Sequence, residues 1–160
     1  MAFRSIQQVL AFFASDLRER CRAVDSAGVG AWRFEAELAD QQRPLTELQQ
    51  DVPLVVLQSG AGSRTLSNSL HPCFTYQAEL VLAAQPDSAA AGTEKLLPAL
   101  GVLEGELRQL LRAHTGTALV DPADDVAAAF LVHAAVEKAS TESDSGTFIF
   151  KIPFSLVIQF

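Results

Sequence analysis

Thr147-Phe148-Ile149-Phe150-Lys151-Ile152-Pro153-Phe154-Ser155-Leu156-Val157-Ile158-Gln159-Phe160 is the stretch on which the fold turns. Phe148, Phe150, Ile152, Phe154, Leu156, Ile158 and Phe160 alternate without a break against Thr147, Ile149, Lys151, Pro153, Ser155, Val157 and Gln159. A period of two is the pattern of a strand with one face on a core. At about 3.3 Å per residue such a strand would span roughly 46 Å, more than twice the typical strand of about five or six residues. Pro153 has no N–H to give to a ladder, so it belongs on an edge or at a bulge. A long apolar edge left bare invites aggregation. Two readings are therefore open: a neighbouring subunit covers the edge, or the strand bends around its own core with a bulge at Pro153.

Upstream, Phe130 to Glu137 reads as a strand, and Ser140 to Gly146 as a polar tip that turns the chain into the terminal stretch. Asp121-Pro122-Ala123-Asp124-Asp125 is an acidic turn. Leu96, Leu97, Leu100, Leu103, Leu107, Leu110 and Leu111 recur at helical spacing, and this helix starts at Thr93 as its cap. Pro98 falls in its first turns, where proline is tolerated, and His114-Thr115-Gly116 ends it. Cys73 to Ala84 is a strand with Phe74, Tyr76, Ala78, Leu80 and Leu82 on one face, and Gln85 to Gly92 is a loop.

Pro53 to Leu57 is a short buried strand, followed by a flexible tip at Ser59 to Ser63. Trp32, Phe34, Ala36 and Leu38 alternate with Arg33, Glu35 and Glu37, a further short strand. Ile6, Val9, Leu10, Phe13, Leu17, Cys21 and Val24 form the stripe of a helix from near Ser5 to near Asp25, stopped by Ser26 to Gly30. The expected architecture is α+β, a mainly antiparallel sheet with two helices packed on one face. Neither a repeat nor a linker interrupts residues 1–160, which read as a single assembly domain.

Composition narrows the function classes. At 160 residues the chain suits one domain, which buries roughly 70% of the surface its unfolded form exposes. With 49% hydrophobic and 19% charged residues it is too apolar for intrinsic disorder. No segment approaches the uninterrupted apolar run of a membrane span. The start, Met1 to Ala14, runs straight into Asp16-Leu17-Arg18-Glu19-Arg20 without a small-residue cleavage site, so it reads as a retained helix. Cys21 and Cys73 are expected as reduced thiols. A net charge of −7, with lysine only at positions 95, 138 and 151, argues against direct gripping of phosphate backbones and sequence-specific nucleic-acid binding.

The residues that could carry chemistry do not converge in sequence. His71, His114 and His133 lie in separate elements, and His71-Pro72-Cys73 lacks a second pair to complete a zinc site. Gly60-Ala61-Gly62-Ser63 lacks the lysine and helix start of a phosphate cradle. Asp121, Asp124 and Asp125 match no calcium loop. Glu104 and Glu106 read as the wet face of the second helix. No nucleophile elbow is present, so neither a catalytic residue, a cofactor nor a metal ligand is assigned.

The order of elements resembles the tail terminator, or tail completion, proteins of long-tailed bacteriophages and related contractile particles. The residues that carry the resemblance are the helix at Ile6 to Val24, Pro53-Leu54-Val55-Val56 and Phe74-Thr75-Tyr76-Gln77-Ala78-Glu79-Leu80-Val81-Leu82. The helix at Leu96 to Leu111 and the terminal Phe148 to Phe160 strand complete it. It covers nearly the whole chain as a likeness of layout and size, without a specific motif.

The resemblance implies a virion tail component assembled in the host cytoplasm. It would be a homo-oligomeric, hexameric ring capping the tail tube, with the tube protein and the head–tail connector protein as partners. It implies no enzyme activity, and an acidic pore lining in keeping with the net charge. The expected interface residues are Gly60, Gly62 and Arg64 in one loop, Ser143 and Asp144 in another, and Phe148, Phe150 and Pro153 on the terminal strand. Two alternatives stand beside it. One is a small-ligand-binding or enzymatic α+β domain with its pocket between the sheet and the Leu-rich helix. The other is a head-closure or baseplate subunit.

Overall fold

A computed structural model describes residues 6–24, 32–38, 54–59, 73–84, 89–121, 126–144 and 147–159. The element order is α1 (Ile6–Val24), β1 (Arg33–Leu38), β2 (Leu54–Ser59), β3 (Cys73–Ala84), α2 (Ala89–His114), β4 (Thr117–Asp121), β5 (Val126–Val136), β6 (Ser140–Asp144) and β7 (Thr147–Gln159). The seven strands form one sheet in the order β1-β2-β3-β7-β5-β4, with β6 also paired to β7. Only β1 and β2 run parallel; the other pairs are antiparallel. Both helices share the core on one face of this sheet, so the architecture is α+β as expected.

The stripe of α1 explains its docking. Val9, Leu10, Phe13, Ala14, Leu17 and Cys21 are buried, at the three- and four-residue steps that line up on one side of a helix. This side packs against β1, β2 and α2. On α2, Leu100, Leu103, Leu107, Leu110 and Leu111 are buried in the same cluster as Leu80 and Leu82 of β3 and Phe154, Leu156 and Ile158 of β7. Each fully buried leucine contributes about 1.5–3 kcal/mol relative to exposure.

The end of α2 is held in detail. Thr115 N donates to Leu111 O at 3.0 Å, and the Thr115 hydroxyl donates to the same carbonyl at 2.6 Å. Gly116 follows with φ of 78°, the left-handed conformation that terminates helices and that glycine adopts without a Cβ penalty. Its N–H reaches Leu131 O at 2.7 Å, tying the helix end to β5. The start of α2 differs from expectation. The helix begins at Ala89, before Thr93, so Pro98 lies inside it and not in its first turns. Proline there removes one intrahelical hydrogen bond.

The terminal stretch is not an edge strand. β7 lies between β3 on one side and β5 with β6 on the other, and its pairing to β3 runs from Cys73↔Gln159 to Ala84↔Phe148 without a shift. Of the two readings in sequence, the strand is covered within its own subunit and not left as an edge, but β7 itself carries no bulge at Pro153. The irregularity falls on the opposite strand: between Val136↔Phe154 and Ser140↔Lys151, residues 137–139 face residues 152–153. β5 and β6 are thus two segments of one line of chain, broken opposite Pro153. Glu137 N donates to Pro153 O at 2.8 Å. A residue's N and O project to the same side of an antiparallel strand, so the missing Pro153 N–H faces this break and leaves the β3 ladder whole.

Two further shifts bend β5. Val132 is extra between Leu131↔Ile158 and His133↔Val157, and Ala128 is extra between Leu119↔Ala129 and Val120↔Ala127. Bulges increase local twist, which curls this half of the sheet toward α2. β4 has no counterpart in the sequence reading, and β6 was expected as part of a polar tip.

The sheet face turned away from the helices is also partly withdrawn from solvent. Leu54, Val56, Val81, Ala83 and Ile149 are buried, alternating with the core-facing Val55, Leu57, Leu80, Leu82 and Phe150. Leu54 pairs with Ala83 and Val56 with Val81. Burial on both faces is the reason β2 reads as an unbroken apolar run rather than an alternation.

Candidate assembly interface

The interface residues expected from sequence separate into three groups. Gly60, Gly62 and Arg64 lie outside the described residues, as does His71. Ser143 and Asp144 lie in β6, opposite Phe148 and Thr147 of β7. On β7, Phe150 is 5% exposed and belongs to the core, while Phe148 is half-buried and packs against it. Pro153 is half-buried at the break between β5 and β6. The apolar face of the terminal strand is therefore spent within the subunit.

The sheet offers other edges. Among the described residues β1 pairs only with β2, and β4 only with β5, so the two ends of the strand order each carry an open ladder. β6 pairs only with β7. Near the β4 end, Phe130 and Val132 of β5 are 37% and 41% exposed.

A cleft of about 440 Å³ opens between the C-terminal half of α2 and β5. Leu111, Ala134 and Val136 form its apolar lining, and Arg108, Arg112 and His133 its charged or titratable one. Arg108 and Arg112 are one turn apart on α2, and His133 lines the β5 side of the cleft just after the shift at Val132. Arg108 holds Glu104 at 3.1 Å; Arg112 and His133 make no ion pair with any described residue. Sequence reasoning set a possible pocket between the sheet and this helix but named none of its residues, because they lie on two elements that only the tertiary fold brings together.

Helix-to-helix contact is polar at one point. His114 Nε2 lies 2.9 Å from Asp16 Oδ2, and Asp16 also accepts from Arg20 Nε at 3.2 Å. The His114 ring packs on Phe12 and Phe13, with centroids 5.4 and 5.8 Å away. Close by in the same helix pair, Cys21 is wholly buried. Burial, with the Glu106 carboxylate of α2 adding to it, pushes the thiol from 9.0 up to about 12, so the group stays a neutral thiol and is a poor nucleophile. Among the described residues no group of three His, Cys, Asp or Glu side chains is placed to hold a metal ion. No described helix is long and apolar enough to cross a membrane.

No family model matches the chain, and no curated protein matches it. Among solved structures it is similar to a chain of the virion of a native gene transfer agent particle, at 14% identity and a TM-score of 0.44. The match covers 98% of this chain and 100% of that one. Similarity at this level bears on neither mechanism nor partners.

Proposed function

We propose that this chain is a structural subunit of a phage-like tail, a terminator whose copies form a ring that caps the tail tube and joins it to the head connector. The observation that carries the reading is the placement of open edges. Among the described residues β1 and β4 end the sheet on opposite sides, and β6 leaves a third ladder open at the hairpin. Different surfaces at opposite ends favour heterologous, head-to-tail contact, which closes into a ring when the rotation per subunit allows it. A net charge of −7 suits a lining past which nucleic acid slides without sticking. The solved chain noted above also comes from a virion; the weight here rests on the layout of this chain's own elements.

Light scattering across a concentration series, with negative-stain images of the same samples, tests the reading. The expected result is a closed ring of subunits with a central hole. A monomer at every concentration sinks spontaneous assembly. One observation favours a second reading, a small-ligand-binding domain: the cleft between α2 and β5 lies where such a pocket was expected, and its volume falls within the range of ligand sites. A ligand-dependent rise in melting temperature for a stable monomer would favour that reading.

A further inference from the structure

We infer that the cleft formed by Arg108, Arg112 and His133 receives the acidic β6–β7 hairpin end, Glu142 and Asp144, of a second copy of this chain. The inference rests on the assembly reading and supplies its contact. Charge complementarity carries it. In a chain of net charge −7 with 12 Lys and Arg in all, two arginines and a histidine converge on one cleft. No carboxylate appears among the described residues that line it. The arginine fork is suited to carboxylates, and the apolar lining from Leu111, Ala134 and Val136 lowers the local dielectric around such a pair.

The hairpin offers what the cleft lacks. β6 is an outer strand of Ser, Thr, Glu, Ser and Asp. Glu142 is 55% exposed in its side chain, and Lys151 Nζ lies 3.8 Å from its carboxylate. Within one chain Arg108 pairs with Glu104, while the hairpin lies out of reach of its own cleft. β5 and β6 are collinear along β7, where the partners of Val136 and Asp144 are Phe154 and Thr147, so the two stand roughly 23 Å apart along the strand, and Glu142, opposite Ile149, roughly 17 Å from Val136. Cleft and hairpin therefore sit far apart on one subunit, and their pairing is head-to-tail.

Charge reversal tests this. One variant carries Arg108→Glu and Arg112→Glu; a second carries Glu142→Arg and Asp144→Arg. Circular dichroism and thermal unfolding first establish that both retain the fold. Each variant alone is expected to need at least about tenfold more protein for half-assembly than the wild type, read by light scattering. An equimolar mixture is expected to assemble again, because each variant's cleft now matches the other's hairpin.

Assembly of either variant at the wild-type concentration overturns this contact while leaving the ring reading intact. Loss in both variants without recovery in the mixture overturns it as well. A wild type that never assembles removes both. Binding of a short fluorescent DNA duplex to the wild type, lost on reversing the arginines, would give the cleft to phosphate and overturn the proposal.

Discussion

Replacing Cys21 with alanine is expected to change how stability depends on alkaline pH more than it changes stability at neutral pH. The thiol is 0% exposed between the two helices, with its pKa raised from 9.0 to about 12 by burial first and by Glu106 second. A raised folded pKa means the native state holds the proton that the unfolded chain releases. The contribution is complete below about pH 9 and is lost as pH rises toward about 12. At about pH 10 the unfolded thiol is roughly ten-elevenths ionised and the native one still neutral. The wild type should thus lose about 1.4 kcal/mol relative to its value at neutral pH, over and above losses from tyrosine and lysine. Cys21→Ala lacks this term and shares the others. Urea unfolding of both proteins at neutral pH and at about pH 10 measures it as a change in the difference between their stabilities. A difference that stays constant with pH refutes the reasoning. The same burial makes Cys21 slow to react with iodoacetamide in the native state, with half-buried Cys73 modified first.

Leu107→Ala should cost about 2–5 kcal/mol in chemical unfolding, since the side chain is wholly buried where α2 meets the sheet. Gly116→Ala should cost about 1 kcal/mol; open space surrounds the site, so the loss comes from the positive φ alone and would shift the thermal midpoint without altering the assembled state. Asp16→Asn, which weakens the contacts to Arg20 and His114 together, is expected to lower stability by about 1 kcal/mol, read from the urea midpoint. In hydrogen exchange the β7 amides paired to β3 should be among the slowest, and those of β1 and β4 markedly faster.

Much of this fold is legible along the chain because its periodicities are strong. The stripe from Ile6 to Val24, the run at Leu54 and the alternations at Phe74 and Phe148 each name their element. What stays illegible is pairing. Nothing local to Phe148–Phe160 says that β3 and β5 take its two sides, so a long strand containing Pro153 reads equally as an edge. β6 escapes notice because Ser140-Thr141-Glu142-Ser143-Asp144 has no apolar face, and its strand conformation comes from the ladder to β7. β4 is short, and its pairing depends on β5. The cleft is the least legible of all. Arg108 and Arg112 look like a solvated helix face until the fold sets β5 across from them to form the cleft.

The position of β7 sets the order in which the molecule can be made. β1, β2 and β3 form one half of the sheet, β5 and β4 the other, and β7 alone joins them. It is also the last of the described strands to leave the ribosome. During synthesis the β3 edge, with Leu80 and Leu82, therefore waits unpaired until β7 emerges. Until then the growing chain depends on the helices or on chaperones to shield that edge.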